Sequence, residues 1–300
     1  MSLPAATARD YIHNMQQRTT VQQWLRSSGY GDITACHKAS GGCINDTSLL
    51  DLSNGDTLFL KQQTQAPPDF FTAEAAGLNA LRQTGTLRVP RVIHAEPGFL
   101  LLEDLGIGTP GPRFWHQLGE GLAALHREEQ DEFGFFGDNY CGLTPQRNTP
   151  CYDGYQFFAR QRLMALARQA AIRRQLDSAD MLTMEFIVAN LNRWIPLQAP
   201  VLIHGDLWSG NVHCDGAGQP ALIDPACYWG WAEAELAMTT LFGGFPASFH
   251  EAYQANSDMD PQWRERADIY NLYHLLNHLL LFGVGYLGQV RAVLKRYGPR

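Results

Sequence analysis

The chain lacks the features of a secreted, membrane or nucleic-acid-binding protein. Its six cysteines are scattered through 300 residues without a C-x-x-C pair, which argues against a disulfide framework or a zinc site. The longest apolar run, at 279–287, is short and broken by glycine, so it cannot span a bilayer. Basic residues number 23 against 30 acidic ones, a formal net charge of −7, which disfavours nucleic acid and anionic membranes as partners. The first ten residues lack the charged and apolar segments of a secretion signal. We therefore expect a cytoplasmic protein with reduced thiols.

The most informative segment is His204-Gly-Asp-Leu-Trp-Ser-Gly-Asn211, hereafter the catalytic loop. Its His, Asp and Asn have the spacing of a kinase catalytic loop, in which the aspartate (Asp206) orients the attacking hydroxyl and the asparagine ligates a metal ion. The apolar run at 201–203 predicts a short buried strand before the loop. A chance His-Gly-Asp turn would account for the tripeptide alone, but not for the full spacing between apolar strands. The pattern therefore predicts a phosphotransferase.

The residues after Asn211 predict a strand, a Gly-rich turn and a returning strand that ends at Asp224. Such a hairpin brings Asp224 beside Asn211. Amide and carboxylate oxygens are the ligands that Mg²⁺ prefers, and Mg²⁺ accompanies ATP in kinases. We therefore predict ATP and Mg²⁺ as cofactors, with Asn211 and Asp224 as the metal ligands.

The wider pattern predicts an α+β, bilobal fold in which a β-rich N-lobe (1–104) binds ATP and a mainly helical C-lobe (105–300) carries catalysis. A linker rich in Gly and Pro at 103–112 separates the two parts. Strands are predicted at 33–39, 47–52, 57–61, 91–95 and 99–102, with a helix at 69–82. Further helices are predicted at 113–128, 153–171, 178–194, 232–242 and 261–296.

Two charged residues of the first lobe fit the ATP-binding pair of kinases. Lys61 ends an apolar strand, where a phosphate-pairing lysine belongs, and Glu74 lies in the following helix, as its partner should. A solvated lysine at a strand end and a surface glutamate are the alternatives.

Trp208 of the catalytic loop offers a flat apolar wall to a sugar, although core packing is the commoner role of tryptophan.

Two backbone segments of the first lobe are candidates for nucleotide contacts. The segment Gly41-Gly42-Cys43-Ile44-Asn45 is a candidate phosphate cover, because glycine lets backbone N–H groups approach an anion. It does not match G-x-G-x-x-G, and an ordinary turn would fit it equally well. The backbone of Glu103, Asp104 and Leu105 is a candidate for adenine contacts. Cys43 is either an inert small side chain or a redox-sensitive thiol in the phosphate cover.

Three histidines are candidates for additional functional groups. His204 is expected to brace the catalytic loop by hydrogen bonds. His274 and His278 have a spacing that metal sites use, but no acid nearby in sequence completes a ligand set, so this segment is predicted to be a packed amphipathic helix.

Taken together, these residues resemble the fructosamine kinase (ketosamine 3-kinase) family. The likeness is carried by the catalytic loop, by Ile223-Asp-Pro-Ala-Cys-Tyr-Trp-Gly230 and by Glu235-Leu-Ala-Met-Thr-Thr-Leu-Phe-Gly-Gly-Phe-Pro246. Upstream, Gly41–Asn45, Phe59-Leu-Lys61 and Glu74-Ala-Ala-Gly-Leu78 fit the same family, so the resemblance covers nearly the whole chain.

The resemblance implies a protein-kinase-like fold and ATP-Mg²⁺-dependent phosphorylation of the 3-hydroxyl of a ketoamine, after which the unstable product releases its amine. It implies Asp206 as the base and Trp208 as a substrate contact. Asp224-Pro-Ala226 replaces Asp-Phe-Gly and no Ala-Pro-Glu follows, which disfavours an ordinary protein kinase. The rivals are a related aminoglycoside, choline or amino-acid kinase, or a nucleotide-binding pseudokinase. The acceptor, small or protein-bound, and the oligomeric state stay open.

Overall fold

A computed structural model describes residues 19–39, 45–63 and 65–299 of the chain. These residues form two compact units. The first consists of the described residues up to Asn79 together with Pro90–Gly106, and the second of Ala80–Val89 together with the residues from Ile107 onward. The assignment of ATP binding to one lobe and catalysis to the other stays a prediction.

The first unit is built on a five-stranded antiparallel sheet with the strand order β1-β2-β3-β5-β4. The strands are β1 (Ile33–Lys38), β2 (Asp46–Leu52), β3 (Thr57–Gln62), β4 (Val92–Glu96) and β5 (Phe99–Glu103). All five agree with the predicted strands to within one residue at each end. Asn54-Gly55 makes the turn between β2 and β3, and Gly55 has φ +91°, which glycine adopts without strain.

The core of this sheet is assembled from alternate apolar positions. Leu50, Leu58, Leu60 and Leu101 are at most 4% exposed and pack in one cluster. The helix α1 (19–27) contributes Leu25 to the same cluster. Period-two alternation puts these leucines on one face of the sheet, which therefore needs the helix as a cover. The helix α2 (Phe70–Thr84) follows β3, close to the predicted 69–82.

The second unit is mainly helical. Its helices are α3 (Phe114–Leu125), α4 (Gly154–Phe157), α5 (Met164–Ile172), α6 (Ser178–Ala189), α7 (Ala232–Leu241), α8 (Ala247–Ala255), α9 (Ala267–Phe282) and α10 (Leu287–Tyr297). Three two-stranded sheets join them, formed by β6 (Asn139–Cys141) with β7 (Thr144–Gln146), β8 (Val201–Ile203) with β11 (Tyr228–Gly230), and β9 (Val212–Cys214) with β10 (Pro220–Leu222).

The helix predictions for this unit were partly wrong. The predicted single helix at 261–296 breaks at Gly283, whose φ of +88° ends α9 before α10 begins. The predicted helix at 153–171 contains a π-helical stretch, Phe158–Leu163, between α4 and α5. Neither α8 nor the strands β6, β7 and β11 were predicted, because these segments are short and carry little periodic signal.

Two expectations from composition can be compared with the described residues. No helix in the described part of the chain has both the length and the apolar character needed to cross a membrane. The five cysteines in the described ranges all have free thiols. Cys43 lies outside the described residues.

Candidate active site

The catalytic loop begins where β8 ends, and its backbone is held by a buried carboxylate. The strand β8 pairs with β11 in an antiparallel register. The backbone N–H of His204 donates to Glu235 Oε2 at 2.5 Å, and that of Gly205 donates to Glu235 Oε1 at 3.0 Å. Glu235 lies in the first turn of α7 and is only 1% exposed. One side chain therefore fixes two successive peptide groups at the start of the loop.

The imidazole of His204 braces the loop from within, as predicted. Its Nε2 lies 2.8 Å from the carbonyl oxygen of Ile223, and its Nδ1 accepts a hydrogen bond from the Asp206 N–H at 3.3 Å. Because a carbonyl accepts and an N–H donates, the ring carries its proton on Nε2. Burial lowers the pKa of His204, which keeps the ring neutral. His204 therefore couples the catalytic loop to the segment before Asp224.

Two residues with a left-handed backbone conformation lie next to the residues that His204 joins, one in the catalytic loop and one after Ile223. Gly205 has φ +81°, and a Cβ at this position would lie 2.1 Å from the carbonyl oxygen of Ala226. Only glycine allows that backbone approach. Asp224 has φ +55°, a conformation that aspartate tolerates better than most residues. Strained backbone of this kind is characteristic of functional sites.

The predicted hairpin after Asn211 is present and carries Asp224 back to the loop. The strands β9 and β10 pair in register, and the N–H of Ile223 donates to the Asn211 carbonyl at 3.1 Å. The side-chain Nδ2 of Asn211 donates to the carbonyl oxygen of Asp206 at 2.8 Å. This bond engages the nitrogen end of the amide, which leaves its oxygen end for a cation. The amide oxygen of Asn211 and the carboxylate of Asp224 are ligands of the kind that suits Mg²⁺, and their role as its ligands stays a prediction.

Asp206 has an altered acidity. Burial, followed by the nearby charges of Asp224 and Glu235, raises the pKa of Asp206 to about 7, while the hydrogen bond from Asn211 opposes the rise. Its side chain remains 21% exposed, so a substrate can reach it. A carboxylate with a pKa near neutrality is suited to general base catalysis. The repulsion between Asp206 and Asp224 also marks a place where a divalent cation would be favoured.

Trp208 projects from the loop and is 38% exposed, so core packing does not explain it. A Cβ on Gly210 would lie 2.2 Å from the indole, so a side chain at this position would displace the ring. The exposed indole is available as an apolar wall for a ligand. Its substrate role stays a prediction.

One conclusion from the sequence about histidines needs correction. The sequence predicts a packed helix and no metal site at His274, because no acid lies near it in the chain. In the structure its Nδ1 lies 3.9 Å from Asp206 Oδ1, and Cys141 joins the same group. His278 points elsewhere, since its Nδ1 is 2.8 Å from the backbone oxygen of His274. Sequence reasoning missed the cluster because its three members come from β6, the catalytic loop and α9.

The first unit contains the predicted lysine–glutamate pair. Lys61 Nζ on β3 lies 2.5 Å from Glu74 Oε1 on α2, and the two side chains are only 3% and 10% exposed. Neither the solvated lysine nor the surface glutamate considered as alternatives is therefore correct. A desolvated pair of this kind persists only with good geometry, because burial of each charge is costly. Its role in ATP binding stays a prediction.

The other predicted nucleotide contacts are less fully described. Residues 41–44 of the candidate phosphate cover lie outside the described residues. The Glu103 carboxylate accepts a hydrogen bond from the Arg91 N–H at 3.0 Å, and that of Asp104 accepts one from the Gly106 N–H at 3.0 Å. Both carboxylates therefore bind nearby backbone N–H groups. This is compatible with the prediction that only the backbone of Glu103, Asp104 and Leu105 contacts adenine.

A buried polar network that sequence reasoning missed holds the segment after Asp224. Gln146 Nε2 donates to the carbonyl oxygen of Ala226 at 3.0 Å, and Asn139 Nδ2 donates to that of Cys227 at 2.7 Å. The Tyr273 hydroxyl donates to Gln146 Oε1 at 2.6 Å. No local sequence signal identifies these amides, because each becomes meaningful only through partners distant in the chain.

Comparison with known proteins gives a consistent result. The sequence model of a family described as fructosamine kinase matches residues 15–298. The chain is 39% identical to the "Probable ketoamine kinase" of Synechocystis over 93% of this chain and 96% of the relative. It is 34% identical to the chloroplastic protein-ribulosamine 3-kinase of Oryza sativa subsp. indica, over 92% of this chain and 83% of the relative.

Solved structures agree. A structure from Thermobifida fusca described as a fructosamine-3-kinase has a TM-score of 0.80 and 31% identity, over 88% of this chain and 95% of that one. The choline kinase LicA of Streptococcus pneumoniae has a TM-score of 0.65 at 15% identity, over 94% of this chain and all of that one (100%), a likeness of fold alone. The predicted α+β, protein-kinase-like fold is confirmed.

Proposed function

Since the chain belongs to the fructosamine kinase family, it is a kinase that phosphorylates a sugar hydroxyl, and we propose that its acceptor is the 3-hydroxyl of a ketoamine. The co-substrate is ATP, as the kinase family implies. The phosphorylated adduct then releases its amine, so that the net result is deglycation. The observation that carries this proposal is the arrangement of Asp206, Asn211 and Asp224, held by the hairpin and by Glu235.

In the proposed mechanism, Asp206 orients the acceptor hydroxyl and takes its proton as the bond to the γ-phosphoryl group forms and the bond between that group and the leaving ADP breaks. Asn211 and Asp224 would hold Mg²⁺, which when bound neutralises charge on the phosphates. Lys61, fixed by Glu74, is proposed to pair with phosphate oxygens of ATP. The residues Gly41, Gly42, Cys43, Ile44 and Asn45 are proposed to cover the phosphates, and the backbone of Glu103, Asp104 and Leu105 to contact adenine. Positioning and charge stabilisation supply most of the acceleration.

The acceptor is proposed to be a fructosamine or ribulosamine adduct of a small amine or of a protein-bound lysine. The names of the curated relatives, ketoamine kinase and protein-ribulosamine 3-kinase, support this class. The exposed indole of Trp208 beside Asp206 gives the sugar chain a flat surface. We place the enzyme in the cytoplasm, in keeping with the free thiols of the described cysteines.

The test is an ATP-consumption assay on a panel of acceptors scored by kcat/KM. Fructosamine and ribulosamine adducts of free amino acids and of a lysine peptide should be phosphorylated, whereas an aminoglycoside and choline should not. Asp206→Asn should lower kcat by about 10²-fold or more while ATP still binds, as for loss of a positioned base. The control is Glu128→Gln, an exposed acid outside the site, which should leave kcat unchanged. A preference for choline or an aminoglycoside would refute the proposal.

A further inference from the structure

Three side chains with metal-binding chemistry meet beneath the catalytic loop. Cys141 offers its Sγ, Asp206 a carboxylate oxygen and His274 a ring nitrogen, and these three atoms lie within 4.8 Å of one another. Cys141 is 2% exposed and His274 5%, while Asp206 keeps 21% of its side chain exposed. The group is therefore buried, with its accessible member being the proposed catalytic base.

A second observation marks this cluster as more than chance proximity. The Nδ1 atom of His274 is buried and has no hydrogen-bond partner among the residues that the structure describes, and it lies 3.9 Å from Asp206 Oδ1. A buried polar atom left unpaired is destabilising, so its retention calls for a reason. Burial, followed by the charges of His278 and Arg162, lowers the pKa of His274 to about 3. The ring is therefore neutral at physiological pH, the form in which imidazole binds metals.

We propose that Cys141, Asp206 and His274 form a binding site for a thiophilic divalent cation, Zn²⁺, and that its occupation inhibits the kinase. Thiolate and imidazole ligands favour Zn²⁺ over Mg²⁺, which prefers oxygen ligands. Zn²⁺ commonly takes three protein ligands and leaves its fourth position to water. Since Zn–S and Zn–N bonds are about 2.3 and 2.0 Å long, the side chains must close by about 1 Å around the ion.

The surrounding charges are compatible with this site. Binding transfers the thiol proton of Cys141 to solvent, so thiolate and carboxylate together offset the two positive charges of the ion. Asn277 Nδ2 lies 3.3 Å from Cys141 Sγ and can donate to the thiolate. The Arg162 guanidinium also favours the thiolate, although its positive charge opposes the cation. The carboxylates of Asp224 and Glu235, whose charges act on Asp206, favour binding of the cation.

Inhibition follows from the identity of one ligand. A carboxylate of Asp206 bound to Zn²⁺ can neither orient the acceptor hydroxyl nor take its proton. This consequence rests on the proposed function, because it requires Asp206 to be the base. Metal binding itself does not depend on that role, so the two parts can be tested separately.

Binding is tested with Co²⁺, a spectroscopic substitute for Zn²⁺, added to the full chain without nucleotide. The expected result is a thiolate-to-metal charge-transfer band that excess Mg²⁺ does not displace and Zn²⁺ does. Cys141→Ala should abolish the band, and His274→Ala should weaken Co²⁺ binding by at least about tenfold. The matched control is Cys227→Ala, which removes another buried thiol that is not part of the cluster. The absence of a band, or a band that persists in Cys141→Ala, overturns the proposal.

Inhibition is tested by titrating Zn²⁺ into the kinase assay at saturating Mg²⁺-ATP. Cys141→Ala should require at least about tenfold more Zn²⁺ than the wild type to halve its own activity, whereas Cys227→Ala should be half-inhibited at the wild-type Zn²⁺ concentration. Equal sensitivity of all three proteins would place Zn²⁺ at another site and refute the inhibitory role. A chain that binds Co²⁺ through Cys141 but phosphorylates no ketoamine would contradict the proposed function and support the metal site.

Discussion

The carboxylate of Glu235 accepts a hydrogen bond from the backbone of His204 at 2.5 Å, across 31 positions of sequence. A second bond from Gly205, at 3.0 Å, makes the contact bidentate. The entry to the catalytic loop is thus fixed by the first turn of α7, a helix that follows the loop in the chain. Charge-assisted bonds of this kind are among the strongest that a protein makes.

Replacement of Glu235 should therefore damage the loop more than a comparable surface change. Glu235→Gln keeps one acceptor oxygen but places an NH₂ group against a backbone N–H, leaving a buried donor unpaired. We expect a loss of about 1–3 kcal/mol in the free energy of unfolding, together with a lower kcat. Denaturant unfolding and steady-state kinetics measure the two effects. Glu251→Gln, at an exposed position of α8, is the control and should change neither quantity.

Asp206 should make stability depend on pH in a defined direction. Its pKa is about 7 in the folded chain against a model value of 3.8, so the folded state binds a proton more tightly than the unfolded state. The stabilisation that this tighter proton binding gives the folded state is complete below about pH 4 and is lost as the pH rises through about 7. Asp206→Asn removes this loss, so relative to the wild type it should gain stability between pH 5 and about pH 8.

The measurement is the Tm of both proteins across this range without ATP or Mg²⁺. At high pH the free energies of unfolding of the two proteins should differ by at most about 4 kcal/mol. This limit follows from a pKa shift of roughly three units at about 1.4 kcal/mol each. The variant should be more stable and yet inactive, since the unfavourable carboxylate is the proposed base. An unchanged difference in Tm from pH 5 to pH 8 would contradict the raised pKa.

Gly205 should not tolerate a side chain. Gly205→Ala places a Cβ 2.1 Å from the Ala226 carbonyl oxygen in a backbone with φ +81°. We expect destabilisation of more than about 1 kcal/mol and a large loss of kcat, because the loop must shift. Gly137→Ala is the matched control, since a Cβ there meets no atom of the described residues within 4 Å. If both variants retain wild-type stability and kcat, the close approach is not present.

The Lys61–Glu74 pair should show non-additive mutational effects. Lys61→Met leaves the Glu74 carboxylate buried without its cation, which should cost about 3–5 kcal/mol in stability. Adding Glu74→Gln should recover part of that loss but none of the ATP affinity, because only Lys61 is proposed to contact phosphate. A double-mutant cycle on unfolding free energy, with ATP binding measured in parallel, tests this. Additive losses would argue against a coupled pair.

The local elements of the fold were largely predictable. The strands of the first unit are short apolar segments separated by turns such as Asn54-Gly55, and these local signals place them to within a residue. The break at Gly283 and the π-helical stretch at Phe158–Leu163 were not predictable, because a helical apolar pattern continues through both. Helix α8 and strands β6, β7 and β11 were missed because short segments carry little periodic signal.

For the site, the sequence determined which chemistry is possible, since the spacing of Asp206 and Asn211 within one loop and the hairpin that returns Asp224 are local features. Only the tertiary structure decided what surrounds those groups. It placed Glu235 against the loop backbone, the neutral His274 and the thiol of Cys141 beside Asp206, and Asp224 close enough to raise its pKa. The physical reason is that spacing along a chain governs only near neighbours, whereas burial and the field of distant charges arise when separate elements pack together.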